Sequence, residues 1–442
     1  MIPGIIELSS KTIYGFTSRN VPIYRFKPLN TALSDYLVGC SHKDKSRNML
    51  GLVQKADTVR TNLIRLIGPC GDIEAEREAL LLQYSSNEWK KFDKKTIAYP
   101  VIGERVFLSG FTFNIDPVGC RDIDDVITIG DDGYIYITIA DVGSWMNENP
   151  SILEKASTIG QTLYEEGRVV SPLLPNEEQY SLLPNQERLG IALKFKWTGS
   201  EIIETSFQKV NLVNNRSFTY EEAQTCQYAS ILKEIASYLG NKELTDSHDW
   251  IEQLMIFYNC EAAKLLVDKK QGILRSQEQN ENLNTYKILG ILENKSANYI
   301  PASNPQPHYG LNKDKYCHAT SPIRRFADII NQMVLCDYKI IDIAFDTLNR
   351  LQKQAKKYDR DSFFLNKLLT TVERTIEGIV LNDHRVWVPE WRRIVTCKND
   401  KQPETKGILK YSLDMNQSTW KRRMVFKFVD TDYLEPQIRG SI

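Results

Sequence analysis

Four aspartates lie within ten positions of this chain, in Phe113-Asn-Ile-Asp116-Pro-Val-Gly-Cys-Arg-Asp122-Ile-Asp124-Asp125. Carboxylates this close repel one another by at least ~1 kcal/mol per contact pair in water, and by more when buried. A fold tolerates them only if a cation neutralises the group or solvent bathes it. Hard oxygen ligands at irregular spacing, with one cysteine (Cys120) and no histidine nearby, suit magnesium or manganese rather than zinc. Metal-assisted phosphodiester chemistry uses such a group. An acidic surface turn is the competing reading of any Asp-rich loop. Here Phe111 and Phe113 lead in and an apolar run from Tyr134 to Ala140 follows, which places the carboxylates between strands.

A second constellation is Tyr316-Cys-His-Ala-Thr-Ser-Pro-Ile-Arg324-Arg325-Phe-Ala-Asp328. Thr320 or Ser321 followed by Pro322 predicts a helix start, with Arg324 and Arg325 in its first turns. Cations are mildly disfavoured at that end of the helix dipole. An anionic ligand would account for them, because helix N-termini and guanidinium groups both bind phosphate. Arginines bridged to Asp328 are the structural alternative. Asp131-Asp-Gly133 lacks the spacing of a calcium loop. His308 and His318 lack the short partner spacing of a zinc site, and His318 reads as a packing or ligand-proximal residue.

The elements that must position these residues are of mixed type. A chain of 442 residues, 42% hydrophobic and 25% charged, predicts two to three globular domains. No apolar segment approaches the ~20 residues that span a bilayer, so no membrane association is expected. The N-terminal Met-Ile-Pro-Gly-Ile-Ile-Glu does not read as a signal peptide. Eight cysteines without a C-x-x-C pair indicate neither a zinc nor a disulfide framework, and fit the cytoplasm or another reducing compartment. Net charge is zero, which argues against binding nucleic acid by bulk electrostatics but does not exclude a nuclease.

Short strand-like segments from Gly4 to about Ser85 predict a small β-barrel over residues 1–95, ending in a charged connection at Glu88-Trp-Lys-Lys-Phe-Asp-Lys-Lys. Residues 96–370 read as a mixed unit. Strands surround the aspartates, and helical periodicity covers Tyr220–Leu239, Asp249–Lys269 and Ser321 to about Leu369. An irregular stretch from Asn294 to Asp314 separates the last two. Residues 371–442 return to strand-like alternation, as in Arg385-Val-Trp-Val and Met424-Val-Phe-Lys-Phe-Val, and predict a second small barrel.

The aspartate box with Ile137-Thr-Ile-Ala-Asp141-Val, and the Thr320-Ser-Pro-Ile-Arg-Arg-Phe-Ala-Asp328 box, resemble the two signature motifs of the ribonuclease II/exosome-nuclease (RNB) family. Pro172-Leu-Leu-Pro, Ser181-Leu-Leu-Pro184, Leu189-Gly-Ile-Ala192 and Phe218-Thr-Tyr-Glu-Glu match in order between them. The resemblance implies an α+β fold, with a central mixed RNB catalytic domain flanked by small OB-type β-barrels. It implies that Asp116, Asp122 and Asp125 hold metal, and that Asp124 both holds metal and acts catalytically. Arg324 would face the scissile phosphate. Tyr164 would stack on the terminal base, Tyr220 would lie along the RNA near the ribose, and Arg325 would bind RNA beside Arg324. Without the resemblance, each tyrosine reads as an ordinary half-buried aromatic. The chain departs from the family at Gln332, where a histidine is usual, and at Glu165, where Leu-Pro is usual.

The implied function is a magnesium-dependent (or manganese-dependent) 3′-to-5′ exoribonuclease acting on single-stranded RNA and releasing 5′-nucleoside monophosphates. A monomer is expected, with partners in an RNA-decay complex. The alternatives are a catalytically weak RNB-fold module that binds RNA or a partner, and a metal-dependent nuclease acting on DNA.

Overall fold

The computed structural model describes residues 1–442 except 86–88, 90–91, 102, 280–294, 371–374, 398–401, 403–404, 413–424 and 429–442. Parts of three sequence expectations lie outside the described residues. These are Glu88, Lys90 and Lys91 of the charged connection, Asn294 of the irregular stretch, and Met424 and Val429 of the last strand.

The chain begins with β1 (Ile2–Ile6), β2 (Ile23–Pro28), β3 (Tyr36–Gly39), β4 (Met49–Val53), β5 (Arg60–Thr61) and β6 (Leu63–Pro69), in the sheet order β5-β3-β2-β1-β4-β6. Strands β1 and β4 are buried along their whole length because both faces of the sheet are covered. Ile2, Ile6, Phe26, Val38 and Val53 fill one side. Ile5 and Leu50 face the other, toward helix α1 (Ile73–Tyr84), where Ala75, Ala79 and Leu80 pack. At Gly4 an added Cβ would sit 2.4 Å from the Lys27 carbonyl, so the β1–β2 contact requires glycine there.

The central region contributes β7 (Val106–Phe107), β8 (Gly110–Ile115), β9 (Asp125–Gly130), β10 (Ile135–Ala140), α2 (Val142–Glu148), α3 (Pro150–Ile159), β11 (Leu163–Glu165) and β12 (Arg168–Ser171). It continues with β13 (Glu187–Trp197), β14 (Ile202–Val213), β15 (Arg216–Phe218), α4 (Tyr220–Ala223), α5 (Ala229–Gly240) and α6 (Ser247–Asp268). Then follow β16 (Ile273–Ser276), β17 (Asn298–Pro301), α7 (Phe326–Leu335) and α8 (Phe345–Thr370). Seven of the strands form one sheet in the order β15-β8-β9-β10-β13-β14-β7, antiparallel except at its two edge pairs. The continuous apolar run of β10 is explained by cover on both faces. Tyr136 and Ala140 pack with residues of α2, α3 and α7, while Ile135, Ile137 and Ile139 pack with residues of α5 and α6.

Two helical expectations are corrected. The stretch Tyr220–Leu239 divides into α4 and α5 around residues 224–228, and Ser321–Leu369 divides into α7 and α8. More important, no helix begins at Ser321. Residues Ser321–Arg325 form a turn closed by the Arg324 and Arg325 amides on the Ser321 carbonyl, and α7 starts only at Phe326. Two tertiary contacts override the local capping signal: the Ser321 amide donates to Asp328 and the Ile323 amide donates to Asp124.

The last described strands are β18 (Thr375–Asn382), β19 (Arg385–Val388), β20 (Arg393–Thr396), β21 (Lys406–Ser412) and β22 (Val425–Phe428), in the order β20-β19-β18-β21-β22. Phe364 and Leu368 of α8 enter their core beside Trp391. The protein is thus α+β, with a central mixed sheet between a six-stranded and a five-stranded sheet. No described helix is long and apolar enough to cross a membrane.

Candidate active site

Strands β8 and β9 pair antiparallel with Phe113 opposite Ile127, and the aspartate loop joins their ends. Asp116 follows the last residue of β8, and its amide donates to the Phe218 carbonyl at the end of β15. Asp125 opens β9, opposite Ile139 of β10. The loop between them is tied down by Ser181, whose hydroxyl accepts from the Ile123 amide at 2.9 Å. The sequence expectation of carboxylates held between strands therefore holds.

The four side chains differ in environment. Asp116 accepts from Asn114 Nδ2 at 2.8 Å, and burial raises its pKa, with a contribution from Asp122. Asp122 accepts from the Tyr164 hydroxyl and from Cys120 Sγ at 3.5 Å. Asp124, 4% exposed, accepts from the Ile323 amide at 3.0 Å and from Arg324 Nε at 3.2 Å. Burial pushes it up to about 7 despite the opposing pull of Arg324. Asp125 is raised well above the carboxylate range, by burial first and then by Asp116 and Asp124. No hydrogen-bond donor meets its carboxyl among the described residues.

Arg324 faces this group across 200 positions of sequence. Its guanidinium also donates to Ser321 Oγ at 3.1 Å, and its side chain is 48% exposed, so it closes one side of the site while remaining open to solvent. The segment carrying Tyr164 is stitched to the same loop, with the Thr162 amide donating to the Arg324 carbonyl at 3.0 Å. Tyr220 stands at the start of α4 behind a capping box of Thr219 and Glu222. Its ring stacks on His248 at 3.8 Å and 7°. Its phenol is pushed up to about 12 by burial and then by the charges of Asp116 and Asp125.

Arg325 is different. Its Nε and Nη2 donate bidentately to Asp328 at 2.9 and 2.8 Å; the carboxylate is fully buried and the arginine side chain 24% exposed. Arg325, expected to bind RNA, makes the bridge to Asp328 that the structural alternative named, and this contact helps to fix the turn that presents Arg324. His318 donates to or accepts from the Tyr299 hydroxyl at 3.0 Å and packs edge-on against Tyr299 and Tyr316, as the packing reading expected.

One residue was missed by sequence reasoning. Glu177 has a buried Oε1 without a hydrogen-bond partner among the described residues, and burial, then Asp122 and Asp124, push its pKa up to about 7. It lies between the Pro172 and Ser181 segments, and the only sequence signal was that position in the ordered series of matches.

Among the described residues no group of three or more His, Cys, Asp or Glu side chains converges as a closed metal site. The donors nevertheless fit magnesium in kind. They are carboxylates only, and Asp116 and Asp125 are raised in pKa by burial first and then by neighbouring carboxylates of the loop, as expected where a cation is needed to offset their charge. Magnesium is commonly held by one or two carboxylates together with waters and substrate phosphates, so a closed protein cage is not required.

A curled mixed sheet carrying carboxylates opposite an arginine loop defines the architecture of the ribonuclease II type. Residues 105–230 and 293–340 match the RNB domain. The exosome complex exonuclease dis3 of Schizosaccharomyces pombe is 24% identical over 409 residues, covering 66% of this chain and 42% of that protein. The solved structure of Mycoplasma genitalium RNase R in complex with double-stranded RNA superposes with a TM-score of 0.72 at 16% identity, covering 97% of this chain and 96% of that one. Yeast Ssd1, described as a pseudonuclease, superposes with a TM-score of 0.68 at 16% identity, covering 97% and 67%. The chain spans about half the length of the curated relatives it matches. Residues 105–230 and 293–340 of the chain thus carry an RNB domain.

Proposed function

We propose that this chain is a divalent-metal-dependent 3′-to-5′ exoribonuclease that hydrolyses single-stranded RNA to 5′-nucleoside monophosphates. The carrying observation is the juxtaposition of four loop carboxylates with Arg324, held on Asp124 at 3.2 Å from the opposite end of the domain. Asp116, Asp122, Asp124 and Asp125 would hold magnesium, or manganese, which when bound supplies an activated water and offsets charge on the leaving oxygen.

The rest falls to the chain. The half-exposed guanidinium of Arg324 can turn from Asp124 toward a phosphate, offsetting the negative charge that builds on its oxygens. Tyr164, fixed through its hydroxyl on Asp122, presents its ring to the terminal base. Tyr220, braced by His248, flanks the ribose side. Base stacking is worth ~1–3 kcal/mol per base and is tolerant of sequence. Rejection of DNA would rest on contacts to the 2′-hydroxyl. Residues 1–95, 96–370 and 371–442 serve in this reading as guiding, catalytic and RNA-binding units of a monomer. Similarity to exosome exonucleases supports partners in RNA decay.

The second reading is a module that binds RNA without cutting it, favoured by the likeness to a pseudonuclease. Incubation of 5′-labelled single-stranded RNA with magnesium or manganese separates the two. A ladder shortening from the 3′ end with released 5′-monophosphates, and intact single-stranded DNA, is the expected result. Bound but intact RNA would support the binding module.

A further inference from the structure

Tyr164 rides on a very small support. Strands β11 and β12 form a two-stranded sheet of their own, closed by a two-residue turn with Glu166 and Gly167 at φ 49° and 79°. An isolated hairpin of this size is marginal in water, so its position must come from what its side chains grip. Side chains alternate along a strand. Leu163 and Glu165 point one way and Tyr164 the other, to Asp122. Leu163 packs among Ala79, Leu80, Tyr358 and Leu365 of α1 and α8.

Glu165, at the tip, is gripped by polar contacts alone. Its carboxylate lies 3.2 Å from Arg77 Nε of α1 and accepts from Asn366 Nδ2 at 3.3 Å and Ser362 Oγ at 3.4 Å, both of α8. Arg77 Nε also donates to Asn366 Oδ1 at 2.8 Å, closing a three-element node. The pair is largely removed from solvent, at 23% and 17% side-chain exposure. Alongside lies an open pocket of about 440 Å³ lined by Tyr164, Glu165, Phe363, Asn366 and Lys367.

We propose that Glu165 and Arg77 are positioning residues for the terminal-nucleotide site: through Asn366 they fix the β11–β12 hairpin against α1 and α8 and thereby set the place of the Tyr164 ring over the aspartate loop. The proposal rests on the reading of Tyr164 as the base-stacking residue. It also gives the departure at Glu165 a function, as the polar anchor that ties the N-terminal unit to the reacting end of the RNA.

The test uses the full chain, EDTA to prevent cleavage, and single-stranded RNA carrying 2-aminopurine at its 3′-terminal nucleotide, whose fluorescence falls on stacking. A second RNA carries the probe at the 5′ end. In wild type the 3′ probe is quenched on binding. Arg77→Met and Glu165→Gln each weaken that quench about 3- to 10-fold in apparent affinity, and the double variant is no worse than the weaker single, as expected of two members of one contact. Arg77→Lys retains most of it, and the 5′ probe is unchanged throughout.

Singles with an unaltered 3′ quench, whatever their melting temperatures, would overturn the proposal by leaving the node a purely structural role. So would strictly additive losses. A wild-type protein that binds RNA without quenching the 3′ probe overturns the Tyr164 reading and the node with it. A wild-type protein that binds neither RNA contradicts the functional reading instead, so the failures are distinguishable.

Discussion

At the scale of single residues, Gln332 is a buried staple. Its Oε1 accepts from the Gly143 amide at 3.1 Å and its Nε2 donates to the Ala140 carbonyl at 2.8 Å, joining α7 to the turn between β10 and α2. The departure from the usual histidine is therefore compatible with a formed site. Gln332→Ala would leave both backbone groups unpaired and is predicted to cost about 2–4 kcal/mol, read from denaturant midpoints. A change below ~0.5 kcal/mol would contradict the staple. His318 supplies a pH prediction. Burial, then Arg325, Arg275, His308 and Lys356, hold its pKa well below 6.5. The unfolded chain therefore takes up more protons below about pH 6.5, so stability is lost as pH falls through the unfolded value and is unaffected above it. The melting temperature between about pH 7 and pH 5.5 should fall more steeply in wild type than in His318→Gln. Parallel slopes would contradict this.

At the scale of elements, the site is divided, and α2 against α7 keeps its halves together. Helix α2 follows the aspartate strands and α7 follows the Arg324 turn. They approach so closely that a Cβ on Gly143 would lie 3.1 Å from Gln332 Cβ and 3.2 Å from the Met333 amide. Gly143→Ala must push α7 outward and is predicted to destabilise by about 1–3 kcal/mol and to slow RNA cleavage. Wild-type melting and cleavage in this variant would show that the crossing has slack. The strands around the aspartates were legible in the sequence because β10 alternates between two apolar layers. The helix start at Ser321 was misread because its amide and that of Ile323 serve carboxylates at Asp328 and Asp124, and no local pattern reports a contact 199 positions away. Glu177 and the Arg77–Glu165 contact escaped for the same reason: their partners are set by tertiary packing, and a lone glutamate has no sequence signature.

For the whole molecule, α8 is the shared spine. Asp361 on it accepts from Tyr84 of α1 at 3.0 Å and from Arg393 of β20, so one carboxylate ties α1 and α8 to the last sheet. Asp361→Ala leaves a mostly buried guanidinium and a phenol unpaired, and is predicted to cost about 1–3 kcal/mol. The calorimetric profile should broaden or split as the flanking units uncouple, whereas an unchanged single transition would contradict the spine. The succession of strand-rich, mixed and again strand-rich stretches was legible from periodicity, and the two motifs from their resemblance to the family. The burial of the Ile5 and Leu50 face of the first sheet was not, since it depends on α1 and α8 closing over it.

The central claim is that the divided site hydrolyses RNA through its aspartate loop. Asp124 tests it most directly, because it is buried, touches Arg324 and anchors the Ile323 amide. The decisive measurement is single-turnover cleavage of 5′-labelled single-stranded RNA by wild type and Asp124→Asn, with RNA affinity measured alongside. The account predicts that the variant cuts at least ~100-fold more slowly, as for loss of a preorganised transition-state group, while binding RNA within about threefold of wild type. Equal cleavage by both proteins would contradict it.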